Sequence, residues 1–186
     1  MKSLLFLLQY ITGPRTVGAI MPSSKYLAKK MIETINFSKA QYIVEYGPGT
    51  GVFTDKLINR RKNNTVILLI EYNYEFFTLL SEKYKEERNL YVIHGSAENV
   101  DKYLADYNIP YVDYVVSGLP FASLPKNISS AILKKTKSIL REDGNFITFQ
   151  YTLFMKQYIN KYFGIINVNK EYRNMPPAYV LNCSNK

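Results

Sequence analysis

The chain has 186 residues, 47% of them hydrophobic, which suits one domain with its own core. Its single cysteine, Cys183, excludes an internal disulfide and is compatible with a reducing compartment; with one histidine, His94, no metal constellation can be assembled. A net charge of +9 points to an anionic partner, either nucleic acid or a membrane surface.

The first segment, Met1–Thr12, pairs Lys2 with a short apolar run and ends at a Gly13-Pro14 break followed by Arg15. It lacks the small-residue cleavage site of a signal peptide and is far shorter than the ~20 apolar residues of a spanning helix. The expectation is a helix lying on either the protein's own core or a lipid surface. Residues 1–40 hold six bases against one acid, Glu33. Near anionic lipid each base is worth about 1 kcal/mol, so this segment either docks on a membrane or covers a site on the protein's own core. Ser23 or Ser24 predicts a helix cap, with Leu27, Ala28, Met31, Ile32 and Ile35 on one face of a helix to about Ile35.

A strand over 42–46 carries Glu45 and Tyr46 and turns through Gly47, Gly49 and Gly51 into a helical pattern. Glycine permits positive φ and lets the backbone approach a ligand closely. Gly-x-Gly-x-Gly behind an acid suits a ligand with a cationic amino group better than a pyrophosphate, which wants bare helix N–H donors. The combination resembles the first motif of class I S-adenosylmethionine-dependent methyltransferases. The next buried strand, 65–71, ends at Glu71, twenty residues beyond Gly51. An acid at about that offset either accepts from ribose hydroxyls or is a solvated strand end.

Further strands are predicted over 90–94, 112–117, 144–151, 165–171 and 177–183, with helices between the first five and a tight turn at Asn174–Pro177. The alternation predicts an α/β three-layer sandwich. Its seven-stranded sheet is mostly parallel with one antiparallel strand, and its ligands sit at the carboxyl ends of the strands. In the methyltransferase pattern the corner after Gly95 faces the adenine ring, so by that resemblance Ser96 bonds the adenine edge; read by itself it caps a helix from about Asn99. His94 reads as a packed or hydrogen-bonded strand end. Lys126, Lys134, Lys135, Lys137 and Arg141 read as a solvated helix face.

The fourth strand ends in Ser117-Gly118-Leu119-Pro120-Phe121, where such enzymes choose the methyl acceptor. Adenine dimethyltransferases place an Asn or Asp before the apolar residue, Pro and aromatic. The serine here cannot supply that paired amide geometry. Together with Ile11–Ser24, Val44–Thr54 and Arg173–Val180, the run resembles the bacterial phospholipid N-methyltransferases, a family related to rRNA adenine dimethyltransferases, from Phe6 to Val180. Tyr46 and Ser96 depart from the usual aliphatic residue and aspartate.

The resemblance implies the Rossmann-like class I methyltransferase fold in a single domain over 1–186. It implies that Glu45, Tyr46, Gly47, Gly49, Gly51, Glu71, Tyr72, Ser96, Ala97 and Ser117 bind S-adenosyl-L-methionine. It further implies that Ser117, Gly118, Leu119 and Pro120, with Tyr26, hold the acceptor, a phosphatidylethanolamine-like amine lipid, with rRNA adenine or an unknown small molecule as alternatives. A cytoplasmic enzyme peripherally attached to an anionic membrane follows. Among 17 tyrosines and 10 phenylalanines, Tyr26, Tyr46, Phe121 and Tyr179 stand closest to the motifs as walls for a methylated cation.

Overall fold

The computed structural model describes residues 24–185. The apolar segment expected to dock on lipid, and most of the Ile11–Ser24 motif, lie outside the described residues. Helix α1 (Lys25–Ile32) is followed by β1 (Tyr42–Tyr46), α2 (Val52–Ile58), β2 (Val66–Glu71), α3 (Tyr74–Lys83) and β3 (Leu90–His94). Then come α4 (Val100–Asp106), β4 (Val112–Ser117), α5 (Lys126–Ile139), β5 (Leu140–Gln150), a short α6 (Lys156–Ile159), β6 (Ile165–Glu171) and β7 (Ala178–Ser184). The seven strands form one sheet in the order β3-β2-β1-β4-β5-β7-β6. Among them only β7 runs antiparallel, to β5 on one side and β6 on the other. This is the mostly parallel α/β sandwich that the strand-helix alternation predicts, and the class I methyltransferase fold that the resemblance implies.

Period-two alternation along the central strands divides the core into two layers. Val44, Tyr46, Leu68, Ile70 and Val115 face α4, α5 and α6. Ile43, Ile67, Leu69 and Val116 face α1, α2 and α3. Helix α1 starts where Ser24 Oγ accepts from Leu27 N at 3.2 Å, and its buried stripe of Leu27, Ala28, Met31 and Ile32 packs on the second layer. It stops at Ile32, short of the expected Ile35. There the chain tightens into three-residue turns, with Ile35 N bonding Ile32 O, while Ile35 stays in the same cluster.

Strand β5 begins at Leu140, before the expected 144, because α5 runs straight into it. Leu140 pairs with Val112, the register then shifts, and Asn145 pairs with Tyr114. Asp113, fully buried at that irregularity, accepts from the backbone N–H of Gln41 (2.7 Å) and Tyr42 (2.8 Å) and ion-pairs with Arg141 at 2.9 Å. This carboxylate fixes the start of β1 and thereby the turn at its far end. Arg141 is thus a strand residue with a buried partner, and Lys135 pairs with Asp101 at 2.6 Å, so the expected solvated basic face is in part engaged. Cys183 lies in the core, where burial pushes its thiol up to about 12 and leaves it unreactive.

Candidate active site

Three backbone turns meet at the carboxyl edge of β1, β2 and β4. Gly47, Gly49 and Gly51 have φ of +60°, +57° and +85°. A Cβ on Gly49 would meet nothing within 4 Å, so this glycine keeps open a space that a ligand can enter. Gly51 is demanded by packing instead: its Cβ would lie 2.2 Å from the Tyr84 hydroxyl, which donates to Gly51 O and to Asp55. The loop after β4, Ser117–Phe121, is locked onto the glycine turn. Gly118 N donates to Tyr46 O at 2.8 Å, and a Cβ on Gly118 would stand 2.6 Å from Gly47 O.

Two carboxylates lie buried beneath this junction. Glu71 Oε2 accepts from Gly49 N at 3.0 Å and Oε1 from Asn73 N at 2.8 Å, so Glu71 braces the glycine turn against the end of β2. Burial raises its pKa, and the same backbone donors pull it back. Glu45 is fully buried, and its Oε2 accepts from Thr54 Oγ1 at 2.7 Å. Its Oε1 has no hydrogen-bond partner among the described residues. Burial pushes the Glu45 carboxyl up to about 8; the Thr54 bond opposes this and the charge of Glu71 adds to it. An orphaned, desolvated carboxylate beside an open glycine turn is what a ligand with an ammonium group would complete.

The remaining expected residues divide. Tyr46 belongs to the opposite face of β1 from Glu45: its ring is buried toward α5, where its hydroxyl accepts from Thr136 at 3.3 Å. It therefore forms no wall of the ligand space and contributes only its backbone carbonyl to the junction. Ser96 is spent locally, its Oγ accepting from Glu98 N and donating to the Glu98 carboxylate, which caps a short 3-10 turn; the helix starts at Val100. Ala97 packs into the core. Tyr72 stands half-buried, its carbonyl 3.1 Å from the His94 ring, which also packs against Tyr74 and Phe77.

Ser117 is fully buried and its Oγ accepts from Leu119 N at 3.2 Å, so the hydroxyl shapes its own turn and does not present itself as a base. Tyr26 lies under Arg173 of the β6–β7 turn, 4.5 Å from ring centroid to guanidinium, and Tyr179 under Lys170. The protein's own cations already occupy those two ring faces. Sequence reasoning missed Asn174, whose Oδ1 accepts from Ser24 N and ties α1 to the β6–β7 turn, and the brace formed by Asp113. Neither carries a local motif. Among the described residues no cluster of His, Cys, Asp and Glu is placed to hold a metal.

Comparison with known proteins gives this geometry its family. Residues 22–172 match the family "Ribosomal RNA adenine dimethylase". The chain belongs to that family. It is a class I S-adenosylmethionine-dependent methyltransferase within it. An ornithine lipid N-methyltransferase of Singulisphaera acidiphila is 29% identical over 181 residues, covering 96% of this chain and 94% of that protein. A ribosomal RNA small subunit methyltransferase A of Hydrogenobaculum sp. is 27% identical over 132 residues, 67% of this chain but half of its own length. Among solved structures, a precorrin-6y C5,15-methyltransferase from Geobacter metallireducens shares the fold with a TM-score of 0.69 at 15% identity, over 86% of this chain and 87% of that one. A SAM-dependent methyltransferase from Aquifex aeolicus aligns with a TM-score of 0.63 at 13% identity, over 84% of this chain and 88% of that one. The open Gly49 turn and the orphaned Glu45 oxygen fit S-adenosylmethionine by their chemistry.

Proposed function

We propose that this protein N-methylates the amine headgroup of a membrane lipid, phosphatidylethanolamine or a related amine lipid such as an ornithine lipid. The observation that carries this reading is the end-to-end likeness to an ornithine lipid N-methyltransferase, 96% of one chain against 94% of the other. The acceptor loop agrees. It reads Ser117-Gly118-Leu119-Pro120, with the serine hydroxyl turned onto its own loop, so no carboxamide is present to grip an exocyclic adenine amine.

S-adenosylmethionine brings an already activated methyl group, and the protein's task is to place a neutral amine in line with it and to exclude water. Glu45 and the glycine turn would hold the methionyl end and Glu71 the ribose. The contact of Gly118 with Gly47 would fix the distance between donor and acceptor. The acceptor loop has no titratable side chain, so the ammonium headgroup would lose its proton to water or to a tyrosine before the transfer.

A second reading, methylation of rRNA adenine, is favoured by the family match and by the net charge of +9. Labelled-methyl transfer by the purified protein separates the two. Anionic liposomes containing phosphatidylethanolamine or ornithine lipid are set beside total rRNA. Label in the lipid fraction supports the proposal; label in RNA alone overturns it.

A further inference from the structure

A cavity of about 870 Å³ opens beside the acceptor loop, between the first turn of α5 and the segment that links β5 to β6. Phe121, the last residue of the acceptor run, lines it, so the cavity and the proposed transfer site share a wall. Its volume lies near the upper end of the ~300–1,000 Å³ typical of ligand pockets. Leu124, Leu153, Phe154 and Met155 make it apolar, and Phe154 leaves 83% of its surface in solvent.

The polar part has one sign. Lys126, Lys156 and Lys161 line the cavity and no carboxylate does, so its charge favours an anion over an amine. Helix α5 is 14 residues long and enters with Pro125 as its cap, which lends no side-chain oxygen, so the first-turn N–H groups remain uncapped. Ser129, 1% exposed, also lines the cavity, and its hydroxyl has no hydrogen-bond partner among the described residues. A buried hydroxyl left unmade costs about 1–3 kcal/mol, which a bound acceptor oxygen would recover. Uncapped amides, lysines and an orphaned donor together describe a site for an anion attached to an apolar body.

Resting on the lipid-amine reading above, we infer that this cavity holds the acceptor lipid. Its apolar wall takes the root of the acyl chains. The α5 terminus with Lys126, Lys156 and Ser129 takes the lipid's anionic group, a phosphodiester or a carboxylate, and the amine is left at the Ser117–Pro120 loop. The exposed apolar wall separates this ligand from an RNA backbone, which would offer phosphates without an acyl chain.

The test is equilibrium binding to the full chain saturated with S-adenosylhomocysteine, so that no turnover is needed. Three soluble probes are compared: a short-chain lysophosphatidylethanolamine, a short-chain N-acylornithine and a fatty amine without an anion. Lys126→Ala and Lys156→Ala should each weaken an anionic probe by about tenfold or more while leaving the fatty amine and S-adenosylhomocysteine unchanged. Ser129→Ala removes a hydroxyl that has no partner, so it should keep or raise the melting temperature and still weaken the anionic probe by a few-fold.

Sensitivity of the phosphate probe alone or of the carboxylate probe alone identifies the anion. Equal losses for the fatty amine, no loss for either anionic probe, or displacement by an rRNA oligonucleotide with the same lysine dependence overturns the assignment. Lysine-dependent binding without methyl transfer to lipid would retain the cavity and refute the proposed function. Transfer to lipid that ignores these substitutions would do the reverse.

Discussion

Glu45→Gln keeps the shape of a buried carboxylate and removes its charge, so it measures what the site costs the ligand-free protein. Burial lifts the Glu45 carboxyl from 4.5 to about 8. The folded state therefore holds a proton that the unfolded chain has released. Stability from this group is fully present below about 4.5 and is lost as pH rises through about 8. At ~1.4 kcal/mol per pH unit, that interval amounts to at most about 5 kcal/mol. The glutamine amide that replaces the orphaned Oε1 takes back about 1–3 kcal/mol. The variant should thus exceed the wild type by about 2–4 kcal/mol near pH 9 and be no more stable near pH 5, so the two stability profiles cross.

Urea unfolding of ligand-free protein at several pH values reads this directly. Parallel profiles across the whole range would refute the buried-charge argument. The same variant tests the site. An ammonium group seated on Glu45 would restore its ionised form, so wild-type binding of S-adenosylmethionine near pH 7 should release protons, visible as a buffer-dependent heat. The variant should release fewer and bind about tenfold or more weakly. Unchanged affinity and unchanged proton release in Glu45→Gln would remove Glu45 from the site.

Gly49→Val should leave a folded protein, because a Cβ there meets nothing, at a cost of about 1–2 kcal/mol for the left-handed backbone; calorimetry should show cofactor affinity largely lost. Gly118→Ala is the contrasting case: a Cβ 2.6 Å from Gly47 O must part the two loops, lowering stability by about 1–3 kcal/mol and methyl transfer more than cofactor binding. Equal effects of the two substitutions on cofactor affinity would contradict the division between donor turn and acceptor loop. Asp113→Ala should destabilise by about 3–5 kcal/mol, since it leaves two backbone N–H groups without their acceptor and Arg141 with only the exposed Asp143 as partner; a change under ~1 kcal/mol in chemical denaturation would show that β1 needs no such anchor.

The residues around the glycine turn show how far the sequence reaches. Strand-helix alternation, the continuous apolar runs and the glycine spacing are local properties, because they follow from backbone geometry and burial within single elements. They fixed the architecture and the place of the acids Glu45 and Glu71 at the carboxyl ends of their strands. Side-chain direction depends on neighbours in space. Strand alternation sends Tyr46 to the opposite layer from Glu45, and adjacency to Glu98 turns Ser96 into a cap; no count of residue types reveals either.

Two further features needed the fold itself. Asp113 acts on Gln41 and Tyr42 from a strand some 70 residues away, at |i−j| of 72 and 71, and its role exists only once β1 and β4 pair. The cavity beside Phe121 arises from the meeting of the α5 terminus with the 152–161 segment, which share no motif. The sequence by itself determined a mostly parallel α/β sheet with a glycine turn behind an acid, since short-range patterning encodes these. The tertiary structure alone decided which polar groups are left unpaired, because desolvation is a property of what surrounds a side chain and not of the side chain itself.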